Sequence, residues 1–180
     1  MTQEIIMSGF GGQGVMVMGQ LLTYAGMLED KQVSWIPSYG PEMRGGTANC
    51  SIIVSDLAIG APIVSEPHAV VAMNLPSIAK FAPSILPGGV LVINSSLVDQ
   101  GCDRADIKTY MVPANEIAAE LGNGKVANMI ILGALVAATG IVTVDSLIKA
   151  FAKVFASKPA LLTINEQAIR RGMEFIEKLK

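Results

Sequence analysis

The feature that most constrains the fold is the alternation of short apolar runs with longer helical patterns along the chain. The predicted strands are Glu4–Ser8, Gln32–Pro37, Thr47–Val54, Ala69–Met73, Val90–Asn94 and Ile107–Val112. The predicted helices are Gly14–Leu28, Asn74–Ala82, Pro113–Leu121, Val126–Thr139, Val144–Phe155 and a last one that Ser157 caps and that runs to Leu179. This alternation is typical of an α/β fold. We therefore expect one doubly wound domain over residues 1–180, with a mainly parallel sheet flanked by helices (Rossmann-like) and a helical C-terminal end.

The chain carries few charges for its 180 residues. Hydrophobic residues make up 51% and charged residues 16%, with a net charge of −2 and a mean hydropathy of +0.50. This balance disfavours disorder and nucleic-acid binding by bulk charge. The charges are also uneven: from Leu57 to Val98 only Glu66 and Lys80 are charged. We expect this middle region to be covered by another protein, and the isolated chain to form a homodimer.

A charge-free stretch from Val126 to Val144 is long enough to span a membrane as a helix. Gly140 interrupts it as a helix stop, and Thr143 or Asp145 is a suitable N-cap for a new helix. We therefore expect two shorter helices and no membrane span. Met1–Ser8 has no basic region of the kind that opens a secretory signal, so a cytoplasmic protein is expected.

Two cysteines and one histidine offer little for metal chemistry. Cys50 and Cys102 form no CxxC pattern, which argues against zinc or an iron–sulfur cluster held by this chain alone. His68 has no second histidine to form a metal site with, and is expected to be structural. We predict no metal site and no catalytic residue in this chain.

A glycine-rich loop follows the first predicted strand and opens the first predicted helix. Gly9-Phe10-Gly11-Gly12-Gln13-Gly14 satisfies the pattern G-x-G-x-x-G in that context. One interpretation is a ligand site, in which the helix N-terminus binds an anion such as a phosphate and Gln13 adds an amide donor. The other is a tight turn that only packs the helix close to the strand.

A dinucleotide site has a further requirement that the sequence does not meet. An acidic residue should close the second strand and hold the ribose, but Trp35-Ile36-Pro37 lies there. Glu29 and Asp30 precede that strand, and Glu42 lies beyond it. A stand-alone nucleotide-binding oxidoreductase of the Rossmann type is therefore only an alternative.

A second loop follows the second strand and mixes aromatic, acidic and basic side chains among glycines. Arg44 has the geometry to pair with a phosphate or a carboxylate, or to form a stiffening ion pair with Glu42. Tyr39 and Met43 are suitable interface anchors. The residues that we expect to contact a partner subunit are Ser38, Tyr39, Gly40, Pro41, Glu42, Met43, Gly45 and Gly46.

Together the two loops closely resemble the gamma subunit of 2-oxoacid:ferredoxin oxidoreductases, the enzymes that act on pyruvate, 2-oxoglutarate or 2-oxoisovalerate. Ala127-Asn128-Met129, Leu132-Gly133-Ala134 and Asn165 near Ala168 also resemble that family. The resemblance covers essentially the whole chain.

The resemblance implies a function as part of a complex. Such enzymes oxidatively decarboxylate a 2-oxoacid on thiamine diphosphate with Mg²⁺, transfer the acyl group to coenzyme A, and pass electrons through iron–sulfur clusters to ferredoxin. The gamma subunit holds neither the thiamine site nor the clusters, and it is not catalytic alone. It is similar to a domain of the fused pyruvate enzyme that packs over the thiamine site and helps to hold coenzyme A. Its expected partners are alpha, beta and ferredoxin-like delta subunits.

These considerations define the candidate site. We expect the cofactor-binding residues to be Gly9, Phe10, Gly11, Gly12, Gln13, Gly14, Arg44 and Asn128. Asn128 has a second interpretation, as a residue that caps or orients the Gly122–Lys125 turn. A further alternative is a scaffold subunit in which the glycine loop is purely structural.

Overall fold

The computed structural model describes residues 1–38 and 48–180, and these form six strands and six α-helices. The strands are β1 (Thr2–Gly9), β2 (Gln32–Ser38), β3 (Ala48–Ser55), β4 (Ala69–Ala72), β5 (Val90–Asn94) and β6 (Lys108–Val112). The helices are α1 (Val15–Leu28), α2 (Leu75–Phe81), α3 (Ala114–Glu120), α4 (Ala127–Thr139), α5 (Val144–Val154) and α6 (Leu162–Glu177). Short 3₁₀ turns precede α4 and α6 at Gly124–Val126 and Pro159–Leu161. The predicted elements are confirmed to within a few residues at each end.

The strands form one mixed sheet in the order β2-β3-β1-β4-β5-β6. The pairs β1–β4, β4–β5 and β5–β6 are parallel, as expected for a mainly parallel sheet. Strand β3 runs antiparallel to both of its neighbours, β1 and β2. The physical reason is the connection from β2, because residues 39–47 are too few for the crossover that parallel pairing requires.

Helices cover both faces of the sheet, which makes the fold doubly wound. Ile5 and Met7 of β1 face the larger core, which includes α1 and α3 to α6, whereas Ile6 faces a smaller core with α2. The chain leaves β1 through α1 towards one edge of the sheet and leaves β4 through α2 towards the other. The strand order thus reverses between β1 and β4, which is where open α/β sheets bind ligands.

Helices α4 and α6 cross with their backbones in contact. A methyl group on Gly133 of α4 would overlap the carbonyl oxygen of Ile169, and one on Gly172 of α6 would overlap that of Ile130. Each helix therefore presents a glycine to the main chain of the other. No larger side chain fits at either position without moving the helices apart.

Two expected helix boundaries have different outcomes. The charge-free stretch does divide as predicted: Gly140 ends α4 with a φ of 63°, and the Thr143 side chain accepts a hydrogen bond from Ser146 N–H at the start of α5. In the described part of the chain, no helix combines the length and the apolar character needed to cross a membrane. The prediction that Ser157 caps the last helix is wrong, because Pro159 opens a separate 3₁₀ turn before α6 begins.

A half-buried carboxylate joins the end of α1 to the start of α5. Glu29 accepts a hydrogen bond from Thr143 N–H at 2.6 Å and forms an ion pair with Lys31 at 3.1 Å. Burial alone would raise the pKa of Glu29. The hydrogen bonds from Thr143, Ser146 and Lys31 outweigh it and lower the pKa from 4.5 to about 2.

We expect Gly133→Ala and Gly172→Ala each to lower the free energy of unfolding by about 2–4 kcal/mol, because the added methyl group forces α4 and α6 apart. Urea denaturation measures this change. Gly101→Ala is the control, since a methyl group there meets no atom within 4 Å, and we expect less than about 0.5 kcal/mol. Equal effects at all three positions would contradict the backbone contact.

The Glu29 junction should make stability depend on pH. Because folding lowers the pKa, the stabilisation is complete above about pH 4.5 and declines as the pH falls towards 2. We expect Glu29→Gln to lower the free energy of unfolding by about 2 kcal/mol at pH 7, and expect the difference from wild type to shrink between pH 5 and pH 3. Glu177→Gln, at an exposed position, is the control. A pH-independent loss would show that the charge of Glu29 is not responsible.

Candidate functional site

An open cleft of about 500 Å³ lies at the carboxyl edge of the sheet, where the strand order reverses. The glycine loop after β1 forms one wall, and Met73 after β4 and Asn94 at the end of β5 form its floor. The segment 124–128, which leads into α4, closes the other side. The cleft thus joins chain segments that are remote in sequence.

Two glycines in the loop adopt a backbone conformation that other residues rarely tolerate. Gly12 has a φ of 89° and Gly14 a φ of 77°. Gly14 also faces Asn128, and a Cβ at position 14 would lie 2.9 Å from the side-chain Cγ of Asn128. No atom of the described residues lies within 4 Å of a Cβ at Gly12, so this part of the loop is open.

Helix α1 begins at this loop without a side-chain cap. Its N-cap is Gly14, no acidic residue lies in the first turn, and the helical hydrogen bonds begin with Met18 N–H donating to Gly14 O at 3.1 Å. Such a helix end carries a partial positive charge and N–H groups that can bind an anion.

The structure separates the six residues of the predicted glycine site. Gly12, Gln13 and Gly14 line the cleft. Phe10 and Gly11 are exposed and do not line the cleft; they lie beside a second groove of about 230 Å³, which Gly12 and Gly14 also line and which reaches Ala48. Gly9 is buried. No side chain fits there, because a Cβ would lie 2.5 Å from the Gln13 side chain and 2.8 Å from Met73 Cβ. The packing interpretation therefore accounts for Gly9, and the ligand interpretation stays open for the outward residues.

Asn128 lies in the first turn of α4 and lines the cleft against Gly14. The prediction that it caps the Gly122–Lys125 turn is wrong, because the Asn123 side chain accepts the hydrogen bond from Lys125 N–H at 3.0 Å. Asn123 takes this role because it directly precedes the 3₁₀ turn. The Asn128 amide makes no hydrogen bond to the described residues, so it is available to a ligand.

Three polar or charged side chains of the cleft, those of Asn94, Asn115 and Lys125, were not predicted from the sequence. Lys125 is exposed, and Asn94 donates a hydrogen bond from Nδ2 to Asn115 Oδ1 at 2.9 Å. Asn94 could have been found, since it closes a strand at the ligand-binding edge. Lys125 and Asn115 lie at the cleft because of the way the helices pack, and no local pattern in the sequence indicates this.

The second loop connects to the same edge of the sheet. Ser38 is exposed and ends β2, whereas Tyr39 to Gly46, including Arg44, lie outside the described residues. Ser38 and Ser8 both pair with Asn49 of β3, and Gly9 pairs with Ala48. Strand β3 therefore separates Ser38 from the glycine loop by roughly 10 Å, two strand spacings. The position beside β1 that holds the acidic residue in dinucleotide sites is occupied by β3, which begins Ala48-Asn49.

The electrostatic character of the cleft favours an anion. Of the described residues that line it, Lys125 is the one ionisable side chain. Within residues 1–38 and 48–180, no three or more His, Cys, Asp or Glu side chains come together as a metal site. Cys50 is buried under α1, and this burial raises the pKa of its thiol to about 12.

Comparison with known proteins identifies similar sequences. The family model for pyruvate ferredoxin/flavodoxin oxidoreductase matches residues 4–175. The chain is 37% identical over 177 residues to ketoisovalerate oxidoreductase subunit VorA of Methanothermobacter marburgensis, covering 97% of this chain but 37% of that subunit. It is 37% identical over 153 residues to 2-oxoglutarate synthase subunit KorC of Methanocaldococcus jannaschii, covering 83% and 82%. The chain thus spans little more than a third of VorA and most of KorC.

Solved structures share the fold. The gamma subunit of a keto/oxoacid ferredoxin oxidoreductase from Geobacter sulfurreducens matches with a TM-score of 0.83 and 30% identity, covering 98% of this chain and 99% of that one. The 2-oxoglutarate:ferredoxin oxidoreductase of Magnetococcus marinus, solved with 2-oxoglutarate, coenzyme A and succinyl-CoA, matches with a TM-score of 0.89 and 21% identity. That match covers 99% of this chain and 32% of the other, and shows a common fold.

Proposed function

The chain belongs to the pyruvate ferredoxin/flavodoxin oxidoreductase family, and from this premise we propose that it works as the gamma subunit of a multi-subunit 2-oxoacid:ferredoxin oxidoreductase. The complex would decarboxylate a 2-oxoacid with thiamine diphosphate and Mg²⁺, form an acyl-coenzyme A, and pass electrons through iron–sulfur clusters to ferredoxin. This chain would hold part of coenzyme A and would supply no catalytic group.

The observation that carries this proposal is the composition of the cleft. Three groups converge on a space that no described carboxylate lines: the start of α1, the exposed Lys125 ammonium, and the Asn128 amide, which forms no hydrogen bond to the described residues. Phosphate groups fit this donor set, because helix N–H groups and a lysine both stabilise negative charge. Coenzyme A, when bound, supplies the thiol that accepts the acyl group, and the residues of this chain would bind and orient its phosphates.

The second loop is proposed as the contact with partner subunits. Tyr39 and Met43 would be its anchors, and Arg44 would reach the phosphates of coenzyme A. The partners would be alpha, beta and ferredoxin-like delta subunits in the cytoplasm. Exposed apolar side chains in the charge-poor middle region support a further contact surface: Leu57 is 69% and Ile63 76% exposed. The same surface would allow a homodimer when the chain is isolated.

The scaffold alternative has specific support in the loop. Gly9 and Gly14 are accounted for by close packing against Gln13 and Asn128, with no ligand required. Ligand titration separates the alternatives. Binding of coenzyme A only with the partner subunits present would support the gamma subunit, whereas NAD binding to the isolated chain would support the stand-alone enzyme. No ligand effect in the complex would support the scaffold.

We expect Lys125→Ala in the assembled enzyme to raise the KM for coenzyme A about tenfold and to leave kcat unchanged, because a charge-assisted contact to phosphate is lost. Asn128→Ala should raise the same KM about three- to tenfold. Steady-state kinetics at saturating 2-oxoacid measure both. The control is Lys149→Ala on exposed α5 surface. If neither cleft variant differs from this control, the cleft does not hold coenzyme A.

Arg44 is tested by the same kinetics. We expect Arg44→Ala to raise the KM for coenzyme A by tenfold or more, since a bidentate contact to phosphate is lost, and expect Arg44→Lys to recover only part of it. An unchanged KM and an unchanged turnover in Arg44→Ala would remove Arg44 from the site.

A further inference from the structure

We propose that Gln13 is a positioning residue: its side chain is a clasp that joins the glycine loop to the end of β4 and so sets the direction of the α1 N-terminus. This inference rests on the proposed function of the cleft. It differs from the sequence-based expectation, in which Gln13 donates to the ligand. A positioning role means that Gln13 acts through the loop main chain.

The hydrogen bonds of the clasp use both ends of the Gln13 amide. Its Oε1 accepts a hydrogen bond from Phe10 N–H at 2.6 Å, and its Nε2 donates to the Met73 carbonyl oxygen at 3.1 Å. The Gln13 main-chain N–H also donates to Phe10 O at 3.2 Å. Residues 10 and 13 are thus bonded reciprocally, once through the main chain and once through the Gln13 side chain.

The clasp spans the point at which the strand order reverses. Met73 follows β4, and its N–H donates to Ser8 O of β1 at 2.9 Å. The Gln13 amide continues this connection from β4 to the loop beyond β1. Among the described residues, no other side chain forms a hydrogen bond to residues 10–14. Loss of the amide would therefore leave the exposed part of the loop held by main-chain contacts alone.

Gly9 makes room for the clasp. A Cβ at position 9 would lie 2.5 Å from Gln13 Oε1, so the Gln13 side chain can fold back over the loop only because residue 9 is glycine. The close contact between Gly9 and the Gln13 side chain therefore accounts for the residue type at both positions. The consequence is that Gly12 and the N–H groups at the start of α1 are held in place before a ligand arrives, which lowers the ordering cost of binding.

The first experiment compares hydrogen exchange in the isolated, ligand-free chain. Gln13→Met keeps the length of the side chain and removes both hydrogen bonds, and Gln167→Met at an exposed position of α6 is the matched control. We expect the Phe10 amide to exchange at least about tenfold faster in Gln13→Met than in the control. A residue that only contacts ligand would leave this rate unchanged, so equal rates overturn the clasp.

The second experiment places the variants in the assembled enzyme. Gln13→Met should raise the KM for coenzyme A about three- to tenfold with kcat unchanged, as loss of loop order predicts. Gln13→Glu should retain the Phe10 contact but lose the donor to Met73, and should keep Phe10 exchange slow. Its KM is not compared, because a carboxylate in the cleft would itself repel the phosphates. Because Gln13→Glu keeps the hydrogen bond to Phe10, it provides a second test of the positioning role if Gln13→Met does not fold.

The two experiments distinguish failure of the clasp from failure of the proposed function. If Lys125→Ala raises the KM and Gln13→Met does not, the positioning role is wrong although the cleft binds coenzyme A. If Lys125→Ala, Asn128→Ala and Gln13→Met all leave the KM unchanged, the proposed function fails, whereas faster Phe10 exchange in Gln13→Met would still show that the side chain orders the loop.

Discussion

The backbone contact between α4 and α6 is the constraint on which the candidate site depends. Gly133 and Gly172 let the two helices approach until each touches a carbonyl of the other. This close approach fixes the N-terminal end of α4. As a result, Asn128 lies against Gly14 and Lys125 lines the cleft. The glycine loop supplies only one wall, and the other is supplied by helix packing remote from it.

The two interpretations of the glycine loop apply to different sides of it. Its inner side is used by the protein itself, since Gly9 accommodates Gln13 and Gly14 accommodates Asn128. Its outer side presents Gly12 and the uncapped start of α1 to the cleft. A preformed cleft in which Lys125 is the one ionisable side chain among the described lining residues suits a subunit that holds one end of a ligand while partners perform the chemistry.

The sequence predicts local features well because apolar periodicity, glycines and caps act over a few residues. The division at Gly140 and Thr143 was predicted for this reason. The insertion of β3 between β1 and β2 was not, because strand order depends on distant pairing. The roles of Gly133, Lys125 and Asn115 also escaped prediction, since each depends on a contact between segments remote along the chain. Arg44 and its loop remain predictions outside the described residues.

The most direct measurement of the central claim is hydrogen exchange of the assembled enzyme with and without coenzyme A. If the cleft holds its phosphates, residues 10–17 and 124–129 should become protected on addition of coenzyme A, while α5, which lies away from the cleft, should not change. Protection confined to other subunits, with residues 10–17 and 124–129 unchanged, would contradict the account.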